Sequence, residues 1–155
     1  MKRPTGKLYT SNPSGLKHLN HEAEIWQITR GRLLFDDALL VRGLAPSEEL
    51  FNHFINNWKD LPPEQWWQEY ERQFLLELKS DEKLSNLRTL YKTLQFGKNV
   101  ILVCFCKDVL YCHRRLVGEF FMQHGVEAVE LSSSELEPEA EASTPKQLTI
   151  YDGVM

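Results

Sequence analysis

Residues 100–123 constrain the fold of this chain more than any other segment. The run from Val100 to Phe105 is apolar and rich in β-branched residues, which is typical of a strand buried on both faces of a sheet. A short polar break follows, and from His113 the apolar residues recur with the spacing of a helix, as at Leu116 and Phe120. A strand that feeds a helix in this way predicts an α/β fold, with the connecting loop at the carboxyl end of the sheet.

The rest of the chain alternates between strand-like and helix-like segments, although residues 35–43 fit neither pattern. We predict strands at 7–10, 24–30 and 126–131, helices that begin at Pro46 and Glu64, and a helix through Leu84–Leu94 that stops at Gly97. This alternation predicts a single three-layer, Rossmann-like α/β domain over residues 1–133, with a mainly parallel core sheet.

Composition and length limit the class of protein. With 155 residues, the chain has the length of one domain that buries a core without disulfides. The formal net charge of −4 argues against a protein covered by nucleic acid, although it is compatible with a local basic face. No apolar run approaches the roughly 20 residues of a membrane helix, and no N-terminal segment resembles a signal peptide. We therefore expect a cytoplasmic protein without a membrane partner, whose three cysteines are reduced thiols.

The C-terminal end of the chain differs in composition from the rest. Residues 134–146 are mainly serine, glutamate, alanine and proline, with almost nothing to bury, which predicts a flexible, disordered acidic linker. Aliphatic and aromatic residues return in residues 147–155, which we interpret as a separate C-terminal peptide motif.

The loop between the central strand and the following helix gathers chemically active side chains. Cys104 leaves the strand, and Cys112, His113 and Arg114 open the helix. The helix dipole and a nearby cation such as Arg114 or Lys107 favour a thiolate there. Backbone N–H groups and the guanidinium can also bind a phosphate, and His113 can act as a general acid or base. We therefore assign Cys112, His113 and Cys104 as candidate catalytic residues.

Two other interpretations of Cys104, Cys106 and Cys112 stay open. Free cysteine is often buried, so Cys104 in a core strand can be a small apolar residue. Alternatively, the three thiols and His113 supply enough donors for tetrahedral zinc, although their spacing is not that of the usual zinc knuckles and adjacent ligands strain a tetrahedron. We expect no cofactor, with zinc as the alternative.

The sequence around this loop resembles the signature of the Domain of Unknown Function 488 (DUF488) family, in which a cysteine near a strand end is followed by Cys-His-Arg at a helix start. The match is most specific between Leu102 and Arg114, and weaker similarity covers residues 7–131. The resemblance implies a Rossmann-like fold with a site made of Cys104, Cys112, His113, Arg114, Arg30, Tyr9 and Tyr70. It implies no particular reaction. Many members carry glutamate where this chain has Cys106, so no family role is carried over to Cys106.

We assign a set of basic and aromatic residues to ligand or phosphate binding, partly from this resemblance and partly from charge. They are Arg114, Arg30, Lys107, Tyr9 and Tyr70.

The C-terminal peptide resembles the motif by which bacterial replication and repair proteins bind the DNA sliding clamp. In Gln147-Leu148-Thr149-Ile150-Tyr151, glutamine and leucine precede a short polar residue, an aliphatic residue and an aromatic one. The resemblance implies that the apolar side chains fill pockets of the clamp while the glutamine forms a hydrogen bond at the rim. The alternating pattern also favours a terminal strand that packs on the domain.

Three functional hypotheses follow from these features. The first is an enzyme that acts on DNA or a nucleotide through the Cys-His-Arg loop and is recruited to replication or repair by its C-terminal peptide. The second is a non-catalytic adaptor or inhibitor that binds the sliding clamp. The third is a thiol redox or metal-binding protein.

Overall fold

The fold is built on a five-stranded sheet in which every neighbouring pair of strands is parallel. The computed structural model describes residues 3–19, 21–31 and 37–132. The strands, in chain order, are β1 (Leu8–Ser11), β2 (Glu24–Gln27), β3 (Ala38–Leu40), β4 (Val100–Val103) and β5 (Ala128–Glu130). Their order across the sheet is β3-β2-β4-β1-β5. The predicted α/β class with a mainly parallel sheet is confirmed.

Four α-helices lie within the described residues, close to the segments where the sequence predicts them. They are α1 (Glu48–His53), α2 (Trp67–Glu77), α3 (Asp81–Gln95) and α4 (His113–Gln123). A π-helical turn (Phe54–Trp58) extends α1, and short 3₁₀ turns occupy Pro13–His18, Arg42–Leu44, Pro63–Gln65 and Val109–Tyr111.

Local side chains fix the ends of α1 and α3. Ser47 Oγ accepts a hydrogen bond from the Leu50 amide (3.1 Å) and Ser80 Oγ accepts one from the Lys83 amide (3.3 Å), which satisfies N–H groups that a helix start leaves free. Gly97 has a φ of 90°, a left-handed conformation that glycine adopts without strain, and it stops α3 as predicted.

The central strand β4 is buried on both faces of the sheet. Leu102 lies in a large apolar cluster to which all four helices contribute, whereas Ile101 and Val103 lie in a smaller cluster with Tyr9. Because side chains alternate along a strand, the two clusters are on opposite faces. Among the described residues, the 3₁₀ turn Pro13–His18 covers the face of the smaller cluster. The helices therefore concentrate on one side of the sheet.

Three strands end at the same level, which creates the edge where the Cys-His-Arg loop begins. Ser11 and Gln27 both pair with Val103 across the sheet. The Cys104 amide still donates to the Ser11 carbonyl (3.1 Å), but the strand predicted to reach residue 105 ends at Val103, since its neighbour β1 ends there too. The strand predicted over residues 126–131 is likewise shorter and spans only β5.

The predicted linker (residues 134–146) and C-terminal peptide (residues 147–155) lie outside the described residues. So do the first two residues of the segment 35–43, of which residues 38–40 form β3. No α-helix in the described part of the chain is both long and apolar enough to cross a membrane.

Truncation of a buried side chain on the central strand β4 should strongly destabilise the fold. Leu102 is fully buried, so we expect Leu102→Ala to lower the free energy of unfolding by about 2–5 kcal/mol, through lost apolar burial and the cavity left behind. Leu110→Ala is the matched control, because Leu110 is 57% exposed and its loss should change stability by about 0.5 kcal/mol or less. Urea denaturation measures both, and equal effects of the two variants would contradict the position of β4.

Candidate active site

Three cysteine sulfurs meet at the carboxyl end of β4. The Sγ atoms of Cys104, Cys106 and Cys112 all lie within 4.8 Å of one another, and those of Cys104 and Cys106 are 3.9 Å apart. Cys104 and Cys106 are two residues apart along the chain just beyond β4, and their side chains converge. Cys112 precedes the first residue of α4 with an extended backbone (φ −138°, ψ 142°), which brings its sulfur back toward the other two. All three are free thiols.

His113 is held against this cluster in one tautomer. Its Nε2 lies 2.6 Å from the carbonyl oxygen of Ile28, just beyond the end of β2. Because a carbonyl oxygen only accepts hydrogen bonds, Nε2 must carry the proton. Nδ1 faces Cys104 Sγ at 3.9 Å and is therefore an acceptor for the thiol proton in the neutral ring.

Arg114 is fully buried and all of its N–H groups are engaged. Nε and Nη2 donate to the two carboxylate oxygens of Glu130 on β5 (3.1 and 3.0 Å), and Nη2 also donates to Ser132 Oγ (3.2 Å). Nη1 donates to the Cys106 carbonyl (2.9 Å) and to Cys112 Sγ (3.5 Å). A guanidinium has five N–H donors, so none is left for a ligand. Arg114 joins the loop to the edge of the sheet, and the phosphate contact predicted for it does not fit this geometry.

The thiols differ in acidity. Burial is the largest single effect on the Cys104 thiol, and it raises the pKa. Hydrogen bonds with Cys106 and Cys112, together with the charge of Arg114, lower the pKa by more than burial raises it. The pKa of Cys104 therefore lies well below its ordinary value. Hydrogen bonds to Cys104 and Cys112, with burial in addition, raise the pKa of Cys106 well above its ordinary value. The cluster therefore favours one thiolate, on Cys104, over two.

Burial and neighbouring charges also change the pKa of the Arg114 guanidinium. Burial is the largest effect and lowers the pKa of Arg114, but attraction to Cys112 and Glu130 outweighs it and raises that pKa above its ordinary value. Arg114 therefore stays charged beside the thiols.

The site is sealed from solvent. Cys104, Cys112, His113 and Arg114 are 0% exposed. The cause is the aromatic side of α2, which lies over this end of the sheet. Phe74 packs against the His113 ring (centroids 5.4 Å apart), and Trp67 contacts Tyr111 of the loop (5.9 Å). The four tryptophans are buried or half-buried, so none presents an open ring face on which a nucleic-acid base could stack.

Tyr70 of α2 belongs to this region, as the family resemblance implies. Its side chain is 0% exposed, and its hydroxyl has no hydrogen-bond partner among the described residues. Burial raises the pKa of Tyr70 well above its ordinary value, and the nearby Cys112, Cys106 and Cys104 raise it further. A buried hydroxyl without a partner costs about 1–3 kcal/mol, so this one requires an explanation.

The remaining predicted site residues are dispersed. Arg30 Nε donates to the Pro46 carbonyl (2.9 Å), which ties it to the segment before α1. Tyr9 is on the other face of the sheet, where its hydroxyl is 3.0 Å from His21 Nε2. Lys107 is exposed on the loop. The structure therefore brings Cys104, Cys106, Cys112, His113, Arg114 and Tyr70 together, but not Tyr9 or Lys107.

Two charged residues near this end of the sheet were missed by the sequence interpretation. Lys83 is only 3% exposed. Burial lowers the pKa of its ammonium group, the charge of Glu77 partly offsets this decrease, and the charge of Arg30 lowers the pKa further. Glu77 accepts hydrogen bonds from the Ser47 amide (2.9 Å) and hydroxyl (2.5 Å). Lys83 lies four residues before Leu87 on the apolar stripe of α3, and that spacing is a signal that could have indicated its burial.

The fold and the site together define an α/β protein with a buried cysteine–histidine cluster at the carboxyl edge of a parallel sheet. The profile of the active DUF488-N3 subclade matches residues 9–125. The chain therefore belongs to the DUF488 family, as its Cys-His-Arg segment predicts. Neither the curated proteins nor the solved structures contain a match to it.

Loss of the Arg114 guanidinium should destabilise the protein far more than loss of its neighbour. Arg114→Met leaves the Glu130 carboxylate without its buried partner, so we expect the free energy of unfolding to fall by about 3–5 kcal/mol. Arg115→Met is the control, since Arg115 forms a partly exposed ion pair with Glu119 that is worth about 1 kcal/mol or less. Urea denaturation compares the two, and similar losses of stability would contradict the role given to Arg114.

Proposed function

We propose that the chain is an enzyme that acts on a phosphate-bearing ligand, a nucleotide or DNA, with the Cys104 sulfur as its nucleophile. The observation that carries the proposal is the arrangement of Cys104, His113 and Ile28. The Ile28 carbonyl fixes the protonated nitrogen of the ring on the far side, and the free Nδ1 faces the thiol. This is the relation between nucleophile and base that thiol catalysis requires.

The proposed reaction has two steps. Cys104 reacts as the thiolate, its proton having passed to His113 Nδ1 beforehand, and its sulfur bonds to the electrophilic centre of the ligand. The bond from that centre to the leaving group breaks, and the imidazolium gives its proton to the leaving group. A water molecule then attacks the same centre while its proton passes to His113 Nδ1, and the bond to sulfur breaks, which releases the product and restores the Cys104 thiolate. Arg114 is a positioning residue in this scheme, because its donors hold the Cys106 carbonyl and Cys112 in place.

Two cations support a phosphate-bearing ligand. Arg30 lies two residues after Ile28, and Lys83 is close enough to Arg30 for its charge to lower the pKa of the amine. The described residues provide no hydrogen bond to the Lys83 ammonium, whereas the carboxylate of Glu77 is held by Ser47. An arginine and a lysine side chain close to each other favour the binding of a phosphate group.

Tyr70 gives a second reason to expect a ligand. Its buried hydroxyl has no partner among the described residues and lies near the three thiols. A polar group on a bound ligand would satisfy it. Entry of that ligand requires the contact between Trp67 and Tyr111 to open, because the cluster is sealed when this contact is made.

The test is turnover of a defined set of probes by the full chain without metal ions. The probes are the deoxynucleoside mono- and triphosphates and a single-stranded oligonucleotide, with products detected by mass spectrometry. We expect His113→Gln to lower the rate by about 100-fold or more, as loss of a general base does. His124→Gln should leave the rate unchanged, because His124 is an exposed residue at the far end of α4. Absence of product from every probe, or equal rates for the two variants, would refute the proposal.

We further propose that the C-terminal peptide recruits the protein to the DNA sliding clamp. The proposal is supported by the sequence of residues 147–151, with Gln147, Leu148, Ile150 and Tyr151 in the order of clamp-binding motifs, and by the acidic linker before it. Tethering of this kind raises the local concentration near DNA and reduces the need for a basic surface.

Binding of the full chain to a purified bacterial sliding clamp tests this recruitment. We expect Leu148→Ala combined with Tyr151→Ala to weaken binding by about 100-fold or more, since truncation of apolar anchors typically costs 2 kcal/mol or more each. Glu139→Ala in the linker is the control and should leave affinity unchanged. Wild-type protein that does not bind the clamp would disprove recruitment. Clamp binding by a protein without turnover would instead favour the adaptor hypothesis.

A further inference from the structure

We propose that Cys104, Cys106 and Cys112 form a binding site for Zn²⁺, with His113 Nδ1 as the fourth ligand. The site goes beyond the proposed enzymatic function, because zinc binding depends only on the geometry of the four donors. It has one consequence for that function, which is that zinc and the ligand compete for the Cys104 sulfur.

The distances between sulfurs match a zinc tetrahedron. With Zn–S bonds of about 2.3 Å, two thiolates on one tetrahedral ion are about 3.8 Å apart. Cys104 and Cys106 are 3.9 Å apart, and none of the three pairs exceeds 4.8 Å. The ion therefore fits between the sulfurs with adjustments of side-chain rotamers alone.

His113 is prepared as a ligand by its other nitrogen. A histidine that binds a metal usually donates its second N–H to a carbonyl or carboxylate, which fixes the tautomer and orients the ring. The Nε2 of His113 does so with the Ile28 carbonyl at 2.6 Å, and Nδ1 is 3.9 Å from Cys104 Sγ. Bonds of about 2.0–2.1 Å to nitrogen and 2.3 Å to sulfur place these two ligand atoms about 3.6 Å apart. At least one of the Cys106 and Cys112 sulfurs lies more than 4.8 Å from the His113 ring nitrogens, so the ring and these sulfurs must move toward each other to complete the tetrahedron.

The structure also removes the objection that Cys112 and His113 are adjacent in sequence. Cys112 has an extended backbone and precedes α4, whereas His113 is its first helical residue. The backbone conformation therefore changes between the two residues, so their side chains do not leave the chain as those of two consecutive helical residues would. Both end near Cys104, since Cys112 Sγ is within 4.8 Å and His113 Nδ1 at 3.9 Å of its sulfur.

Charge and burial favour a closed site. Arg114 Nη1 donates to Cys112 Sγ at 3.5 Å, a contact that stabilises a metal-bound thiolate. The sulfurs are 0–6% exposed, as expected for zinc sites in which the protein supplies all four ligands. Zn²⁺ would bind both the Cys104 sulfur and His113 Nδ1, so the zinc-bound cluster would have neither a free nucleophile nor a free base and should be inactive.

The direct test is metal content of the full chain, reduced and incubated with Zn²⁺ and then freed of unbound metal. We expect inductively coupled plasma mass spectrometry to find about one zinc ion per chain, as for a site with four protein ligands. Replacement by Co²⁺ should give sulfur-to-cobalt charge transfer in the near ultraviolet and the intense visible bands of a tetrahedral ion. Cys106→Ser should lose the ion, whereas His124→Gln should keep it. A wild-type chain without zinc, or zinc retained by Cys106→Ser, would overturn the proposal.

A second measurement covers the case in which Cys106→Ser fails to fold. Alkylation of the wild-type thiols by N-ethylmaleimide in mild denaturant should be at least about tenfold slower with zinc than without it, since the bound thiolates are protected. Equal rates would refute zinc binding. A disulfide between Cys104 and Cys106 would also block alkylation, but a metal chelator such as EDTA restores the reaction of zinc-bound thiols and leaves a disulfide unreactive.

Zinc binding and enzymatic activity fail in distinguishable ways. Zinc bound by a protein that converts no probe supports the metal site and refutes the enzyme. Turnover by a protein that binds no zinc supports the enzyme and refutes the metal site. Full turnover by the zinc-loaded protein would refute competition for Cys104.

Discussion

The buried guanidinium of Arg114 is the interaction on which the site depends. Its donors bind the Cys106 carbonyl, the Cys112 sulfur and the carboxylate of Glu130, so one side chain joins the loop, the start of α4 and the edge strand β5. This link fixes the Cys106 carbonyl and the Cys112 sulfur relative to β5 at the carboxyl edge of the sheet. A buried charge is tolerated here because its carboxylate partner and all its hydrogen bonds are provided by the protein.

Given this link, the chemistry of the cluster follows from two backbone facts. Cys104 and Cys106 are the first and third residues beyond β4, where their side chains converge, and Cys112 lies just before α4, which returns the third sulfur. The Ile28 carbonyl then selects the tautomer of His113. Three soft donors and one oriented imidazole result, and such a set suits both thiol catalysis and a thiophilic metal.

Much of this arrangement could be predicted from the sequence, and the exceptions have physical causes. The apolar run at Val100 and the helical spacing after His113 indicate a strand, a loop and a helix, so the gathering of thiols follows from local patterns. Burial does not, because it depends on Phe74 and other aromatic residues of α2, more than 30 residues before the loop. The burial of Arg114 could not be predicted from local patterns either, because its partner Glu130 lies on β5. The face of the sheet on which Tyr9 lies depends on the register between β1 and β4.

The central claim, a His113 ring held with its proton on Nε2 and its free nitrogen toward Cys104, can be measured directly. The ¹⁵N chemical shifts of the ring nitrogens in the reduced, metal-free protein report where the protons are. We expect Nε2 to carry a proton, because the Ile28 carbonyl can only accept a hydrogen bond. An unprotonated Nε2 would contradict it, since neither a base nor a zinc ligand would then face the thiol.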